Sequence, residues 1–171
     1  MLLRPIHPVH LDIADNIGYK VVALPFVLVI MLGLALTFSP TFHLLWWNVL
    51  AFIPVLVLAY PIRFLSHWIL GMVSFWTTRA ASIFGLFNVM EIFLTGRLAP
   101  LVLLPVWIQV TANVSPFRWM IAFPVEVLLG KLSPQEVLVG VGVQIVWVAL
   151  MIGLLRLVWH YGTRRYAAVG A

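Results

Sequence analysis

The chain has 171 residues, of which 64% are hydrophobic and 9% charged, with a mean hydropathy of +1.12. Soluble domains carry roughly a quarter charged residues, so this composition excludes a soluble protein and indicates an integral membrane one. The formal charge is +5, but the bases flank apolar segments, where the positive-inside rule and phosphate headgroups explain them better than nucleic acid does. Cysteine is absent, which excludes disulfides, thiolate metal sites and a Cys nucleophile.

Residues 1–20 contain Arg4, Asp12, Asp15 and Lys20 and lack the apolar region of a secretory signal. They are expected to be cytoplasmic, with a short amphipathic helix from Leu11 to Lys20 along the membrane interface. His7-Pro8-Val9-His10-Leu11-Asp12 brings imidazole and carboxylate together. The spacing is not that of a His-Glu-x-x-His helix and no second cluster follows, so a connector is favoured over a metal site.

Val21 to Ile62 holds no Asp, Glu, Lys or Arg. One crossing needs ~20 apolar residues, so this run predicts two, turning at Ser39-Pro40-Thr41-Phe42-His43 with Trp46 and Trp47 as interfacial anchors. Phe64 to Trp76 is too short to cross alone. It either extends the second crossing through Pro54 and Pro61 or opens the third after a turn at Arg63. A turn at Arg79 is favoured, because Arg63 then faces protein or water within a long, kinked helix. A third apolar segment covers Ala80 to Thr95. The last, Val137 to Leu155, is closed by Arg156, Trp159, His160, Arg164 and Arg165.

Between these lies the most unusual stretch, Thr95 to Pro134. It is apolar, yet Pro100, Pro105, Pro116 and Pro124 interrupt it and Arg97, Arg118, Glu126 and Lys131 lie within it. Proline removes a backbone donor and clashes with the preceding turn, and in hydrocarbon the freed groups survive only when buried in protein or facing water. A broken, re-entrant helical hairpin over about 98–133 is expected. The fold class is thus an all-α polytopic bundle with spans over about 21–38, 44–76, 80–96 and 137–159 and a tail at 160–171. Four crossings place both termini on one side with Arg4, Lys20, Arg79, Arg156, Arg164 and Arg165. Lys131, Arg97 and Arg118 fall on the other, so the termini are expected to be cytoplasmic.

Glu91 is the one acid in the third span, a position that marks a proton relay or an ion-pair partner. A structural pair with Arg97 or Arg63 is favoured. Arg118 and Glu126 share a face without touching if Phe117 to Leu129 is one helix; each is expected to cap or pair within the hairpin, with lining a substrate exit as the alternative. Gly33, Gly71, Gly85, Gly140, Gly142 and Gly153 permit close helix approach. Gly130-Lys131-Leu132-Ser133 lacks the upstream glycine and the Ser or Thr after Lys of a phosphate loop. No nucleophile elbow or close carboxylate pair is present. No catalytic, cofactor-binding or metal-binding residue is assigned, and any energy source must come from a partner chain.

The order of segments carries a resemblance. Leu2-Leu3-Arg4-Pro5-Ile6-His7-Pro8 leads through Asn16-Ile17-Gly18-Tyr19-Lys20 to a span. Phe75-Trp76-Thr77-Thr78 follows, then Phe93-Leu94-Thr95-Gly96-Arg97-Leu98-Ala99-Pro100, Pro116-Phe117-Arg118-Trp119 and Leu129-Gly130-Lys131-Leu132-Ser133-Pro134. The chain resembles the permease subunits of type-2, exporter-class ABC transporters, a poorly characterised bacterial group within them.

The resemblance implies six spans, with a re-entrant hairpin on the outer face after the fifth. It also implies two permease subunits, alike or different, and separate ABC ATPase subunits that hold ATP and Mg. The link before the third family span would carry the ATPase-coupling helix. By position it falls on Arg4, His7, His10, Asp12, Asp15 and Lys20. On that alignment the first two family spans are expected to be missing. The resemblance places the chain in the bacterial inner membrane and gives Arg97, Arg118 and Glu126 roles in a gate and Arg63 and Glu91 as intramembrane charges. The rival expectations are a proton-coupled carrier using Glu91 and a non-transporting membrane scaffold.

Overall fold

Inside a bilayer every backbone N–H and C=O needs a partner within the protein, and helices supply it locally. The computed structural model describes residues 8–38, 45–77 and 79–169, and among them no strand occurs. Seven α-helices run in chain order: α1 (Pro8–Phe38), α2 (Trp46–Met72), α3 (Ala80–Leu94), α4 (Val106–Val114), α5 (Phe117–Met120), α6 (Ala122–Leu128) and α7 (Pro134–Val169). Three helices, α1, α2 and α7, are long and apolar enough to cross a membrane, and α3 is shorter. The protein is an all-α, polytopic membrane protein.

Residues 1–42 and 43–171 form two units. In the first, α1 runs unbroken through Lys20 and Pro25. The separate interfacial helix expected over Leu11–Lys20 is therefore the opening part of one long helix. Pro8 starts that helix, at the position where a missing N–H costs nothing. The turn expected at Ser39–His43 lies outside the described residues.

In the second unit α2 contains Pro54, Pro61 and Arg63. It ends at Met72, and a 3-10 turn over Val73–Phe75 leads to Arg79, the N-cap of α3. The turn thus lies at Arg79 rather than Arg63. α2 and α7 run parallel, because contacts advance together along both. The Gln144 amide donates to the Val55 carbonyl at 3.2 Å. Further on, Ser66 Oγ meets Met151 Sδ at 3.7 Å and the Trp68 and Trp159 rings lie 5.8 Å apart.

α3 runs antiparallel to α2 but accompanies only half of it. Phe84 lies against Gly71, Phe87 against His67, Glu91 against Arg63 and Leu94 against Ile62. With 15 residues, α3 is about 22 Å long at 1.5 Å per residue, short of a hydrocarbon core of about 30 Å. The other half of α2 is accompanied by α5 and α6. Phe117 and Met120 pack with Ile62, Phe123 and Val127 with Val55, and Gly130 lies against Asn48. Residues 80–94 and 117–130 together therefore form one antiparallel partner of α2, built in two pieces. α4 is the insertion at the break. It packs on α3 and α5 and returns the chain to Phe117, whose ring lies 5.3 Å from that of Phe87.

The hairpin prolines occupy helix starts. Pro100 and Pro105 cap the 3-10 turn at Leu101–Leu103 and α4, Pro116 caps α5, and Pro124 falls in the first turn of α6. At those places the backbone N–H has no intrahelical acceptor, so proline loses nothing. Phe117 to Leu129 is not one helix. Ile121, at φ −135° and ψ −55°, separates α5 from α6.

Candidate functional site

Two charge clusters sit in the second unit. The first joins α2 to α3. Arg63 Nε donates to Glu91 Oε1 at 2.8 Å, and His67 Nε2 lies 3.3 Å from Glu91 Oε2. The Glu91 side chain is 5% exposed and that of Arg63 44%. Glu91 therefore has Arg63 as its partner and not Arg97, which is exposed. Residues 63 and 67 lie one helical turn apart and both reach the same carboxylate. His67 Nδ1 also meets the Arg63 carbonyl at 2.9 Å. A carbonyl only accepts, so that contact requires the proton on Nδ1. The Nε2 contact to Glu91 is then a hydrogen bond only when a second proton lies between ring and carboxyl. Helical periodicity could have found His67, one turn beyond Arg63, once Glu91 was paired with Arg63.

The second cluster ties the hairpin to itself. Arg118 Nη2 donates to Glu126 Oε2 at 2.8 Å, and its Nη1 donates to Asn113 Oδ1. The guanidinium also lies 5.7 Å from the centre of the Trp119 ring, a cation–π distance. Each was expected to cap or pair within the hairpin, and the two pair with one another. The continuous helix that would have kept them apart on one face does not form, and the break at Ile121 turns α6 so that the side chains meet. Arg118 thereby joins the last turn of α4 to α5 and α6.

The motifs that bound the hairpin are helix signals. Gly96 and Gly130 have φ of +73° and +67°, the left-handed conformation that ends helices. After α6, the Gly130 N–H bonds the Val127 carbonyl and the Lys131 N–H the Glu126 carbonyl, a Schellman arrangement. Three residues later a capping box starts α7. Ser133 N–H donates to Glu136 Oε2 at 2.8 Å, and Glu136 N–H approaches Ser133 Oγ at 3.4 Å, with Pro134 at the first helical position. The Ser133-x-x-Glu136 signature was legible in the sequence and went unread.

Two buried amides complete the interior. Gln144 Nε2 donates to the carbonyls of Val55 and Trp119, at 3.2 and 2.9 Å, stitching α7 to α2 and α5. Asn48 is fully buried beside Gly130, and neither of its amide atoms has a partner.

Of the residues expected in the coupling segment, Arg4 and His7 lie outside the described residues, and so does the side chain of His10. Asp12, Asp15 and Lys20 are exposed on α1. Among the described residues no three His, Cys, Asp or Glu lie together.

No curated protein and no solved structure matches the chain. Residues 1–170 match the family model described as ABC-2 family transporter protein. This match agrees with the long apolar helices and the proline-broken hairpin. The chain belongs to the ABC-2 transporter family and is a transmembrane permease component of an ABC transporter.

Proposed function

We propose that the chain forms part of the substrate pathway of an ATP-driven exporter in a bacterial inner membrane, working by alternating access. ATP and Mg are held by separate ABC ATPase subunits, and a second permease subunit, alike or different, completes the pathway. The termini are cytoplasmic. α1, α2, α3 with its hairpin, and α7 make four crossings, and the residues from Arg4 to Lys20 receive the push of the ATPase. The hairpin, locked by Arg118 and Glu126 and carrying Arg97 at its base, is the outer gate.

The observation that carries this reading is the family match over residues 1–170. The charge clusters support it against a proton-coupled carrier. Glu91 is held by Arg63 and His67, and among the described residues no third His, Asp or Glu joins them, whereas a relay runs along a chain of such groups.

The test needs no knowledge of the cargo. Val114 is 74% exposed at the tip of the hairpin, and the chain has no native cysteine. Val114→Cys is labelled in vesicles that contain the chain with its ABC ATPase. Its reactivity is expected to change with ATP, to stay constant when the ATPase's phosphate-loop lysine is replaced, and to ignore collapse of the proton gradient. A change that follows the proton gradient supports the carrier, and no change under either condition supports a scaffold.

A further inference from the structure

The Arg63 cluster has hydrogen-bond donors left over. Its guanidinium bears five N–H donors. Among the described residues only the Nε donor is engaged, by Glu91, and the arginine side chain remains 44% exposed. The end-on edge of the guanidinium, one N–H from each Nη, has no partner among the described residues. Arg63 is nine residues from the Met72 end of α2, about 14 Å along the axis, and about 25 Å from the Trp46 end. Glu91 meets the charge, but exposed N–H donors at that depth are expensive in hydrocarbon unless water or an acceptor meets them. A planar fork with one edge fixed by a buried carboxylate offers its other edge for two parallel bonds to an oxyanion.

The surroundings select the rest of such a ligand. Tyr60 and His67 lie one turn either side of Arg63 on α2 and Phe64 follows it directly, and the Tyr60 and Phe64 rings stack at 5.9 Å. All three are half-buried. An inorganic anion would leave this aromatic surface unused, whereas an acyl or other apolar tail would cover it.

We propose that the outward edge of Arg63 binds the carboxylate or phosphate headgroup of an anionic amphiphile, with Tyr60 and Phe64 against its apolar body. This names a substrate class for the pathway and rests on the exporter reading. Binding itself needs no ATPase, so the two can fail separately. Glu91 is a positioning residue here. It holds the Nε edge and neutralises part of the charge, so its removal should strengthen the attraction for an anion.

The experiment uses the full chain purified in an uncharged maltoside detergent. Binding is measured for dodecyl phosphate, dodecanoate, dodecanol and inorganic phosphate, with folding of each variant followed by thermal unfolding. Saturable binding of one or both anionic amphiphiles is expected. Arg63→Gln should weaken it at least tenfold, Arg63→Lys less, and Glu91→Gln should tighten it several-fold. If a single variant does not fold, Arg63→Gln with Glu91→Gln removes both charges together and should also lose binding. Preference between dodecyl phosphate and dodecanoate assigns the headgroup, and failure of inorganic phosphate to compete shows that the tail is required. Equal binding of dodecanol, unchanged affinity in the folded double variant, or complete competition by inorganic phosphate would overturn the proposal. Loss of the ATP-dependent labelling at position 114 with amphiphile binding intact would instead fault the exporter reading.

Discussion

Gly140 shows how closely single residues are fitted. A Cβ built there would lie 2.1 Å from Phe123 Cζ. The ring is buried among Val55, Val127 and Val137 and has no room to withdraw. Gly140→Ala should cost about 1–3 kcal/mol, as overpacking does, read as a lowered midpoint of thermal unfolding in detergent. Combining it with Phe123→Leu should recover part of the loss. The Arg63–Glu91 pair makes a second prediction at this scale. Hydrogen bonds to charged groups are worth about 1.5–3 kcal/mol. Glu91→Gln and Arg63→Gln should each destabilise the chain, and the double variant should lose less than the sum, by about 1–2 kcal/mol in a double-mutant cycle. Strictly additive losses would mean that the pair does not form.

At the level of elements, the hairpin has one lock and one hinge point. Arg118 binds Asn113 and Glu126, and Ile121 carries the break between α5 and α6. Glu126→Gln should raise hydrogen exchange of the amides from Asn113 to Leu129 while the middle of α2 keeps its protection. Equal loss of protection in both would show that the hairpin has no independent stability. Gly130→Ala should destabilise through two causes together. The alanine would sit at φ +67°, which costs an L residue about 1–2 kcal/mol, and its Cβ would lie 2.5 Å from Asn48 Nδ2.

These elements also show what the sequence could and could not disclose. The charge-free runs made α2 and α7 legible, and intramembrane cost placed the turn at Arg79. The prolines between Pro100 and Pro124 were legible as interruptions, because proline acts locally. What each interruption builds was not, because the direction taken after Ile121 depends on packing against α2. The Arg118–Glu126 contact depends on that direction, so pairing within the hairpin was legible and the partner was not. Local signals also hid in plain view. Gly96-Arg97-Leu98-Ala99-Pro100 and Gly130-Lys131-Leu132-Ser133-Pro134 were noted for resemblance. Each begins with a left-handed glycine that ends a helix, and each closes on a proline that starts the next helical turn. The first charge cluster was half legible. Arg63 was one of two partners considered for Glu91, and His67 followed only from seeing both one turn apart on α2.

On the scale of the whole second unit, one arrangement carries the account. α2 and α7 run parallel, and the chain between them must climb the full length of α2 to begin α7 beside Asn48. A single helix does not make that climb. α3 covers the half nearer Met72, α5 and α6 cover the half nearer Trp46, and α4 is inserted at the joint. A path built this way leaves a break between α3 and α5 beside the Arg63–Glu91 pair. The hairpin reaches it through Phe117 and Phe87, so on the proposed reading a movement of the gate would be felt at the charge cluster.

The most direct test of this arrangement is side-specific cysteine labelling with a membrane-impermeant maleimide at two positions that bracket the broken crossing. Arg79→Cys, before α3, and Lys131→Cys, after α6, are each introduced into the cysteine-free chain in sealed vesicles of known orientation. Position 79 is expected to react only from the cytoplasmic face and position 131 only from the opposite one. Labelling of both from the same face would mean that residues 80–130 dip into the membrane and return without crossing it, and would contradict the account.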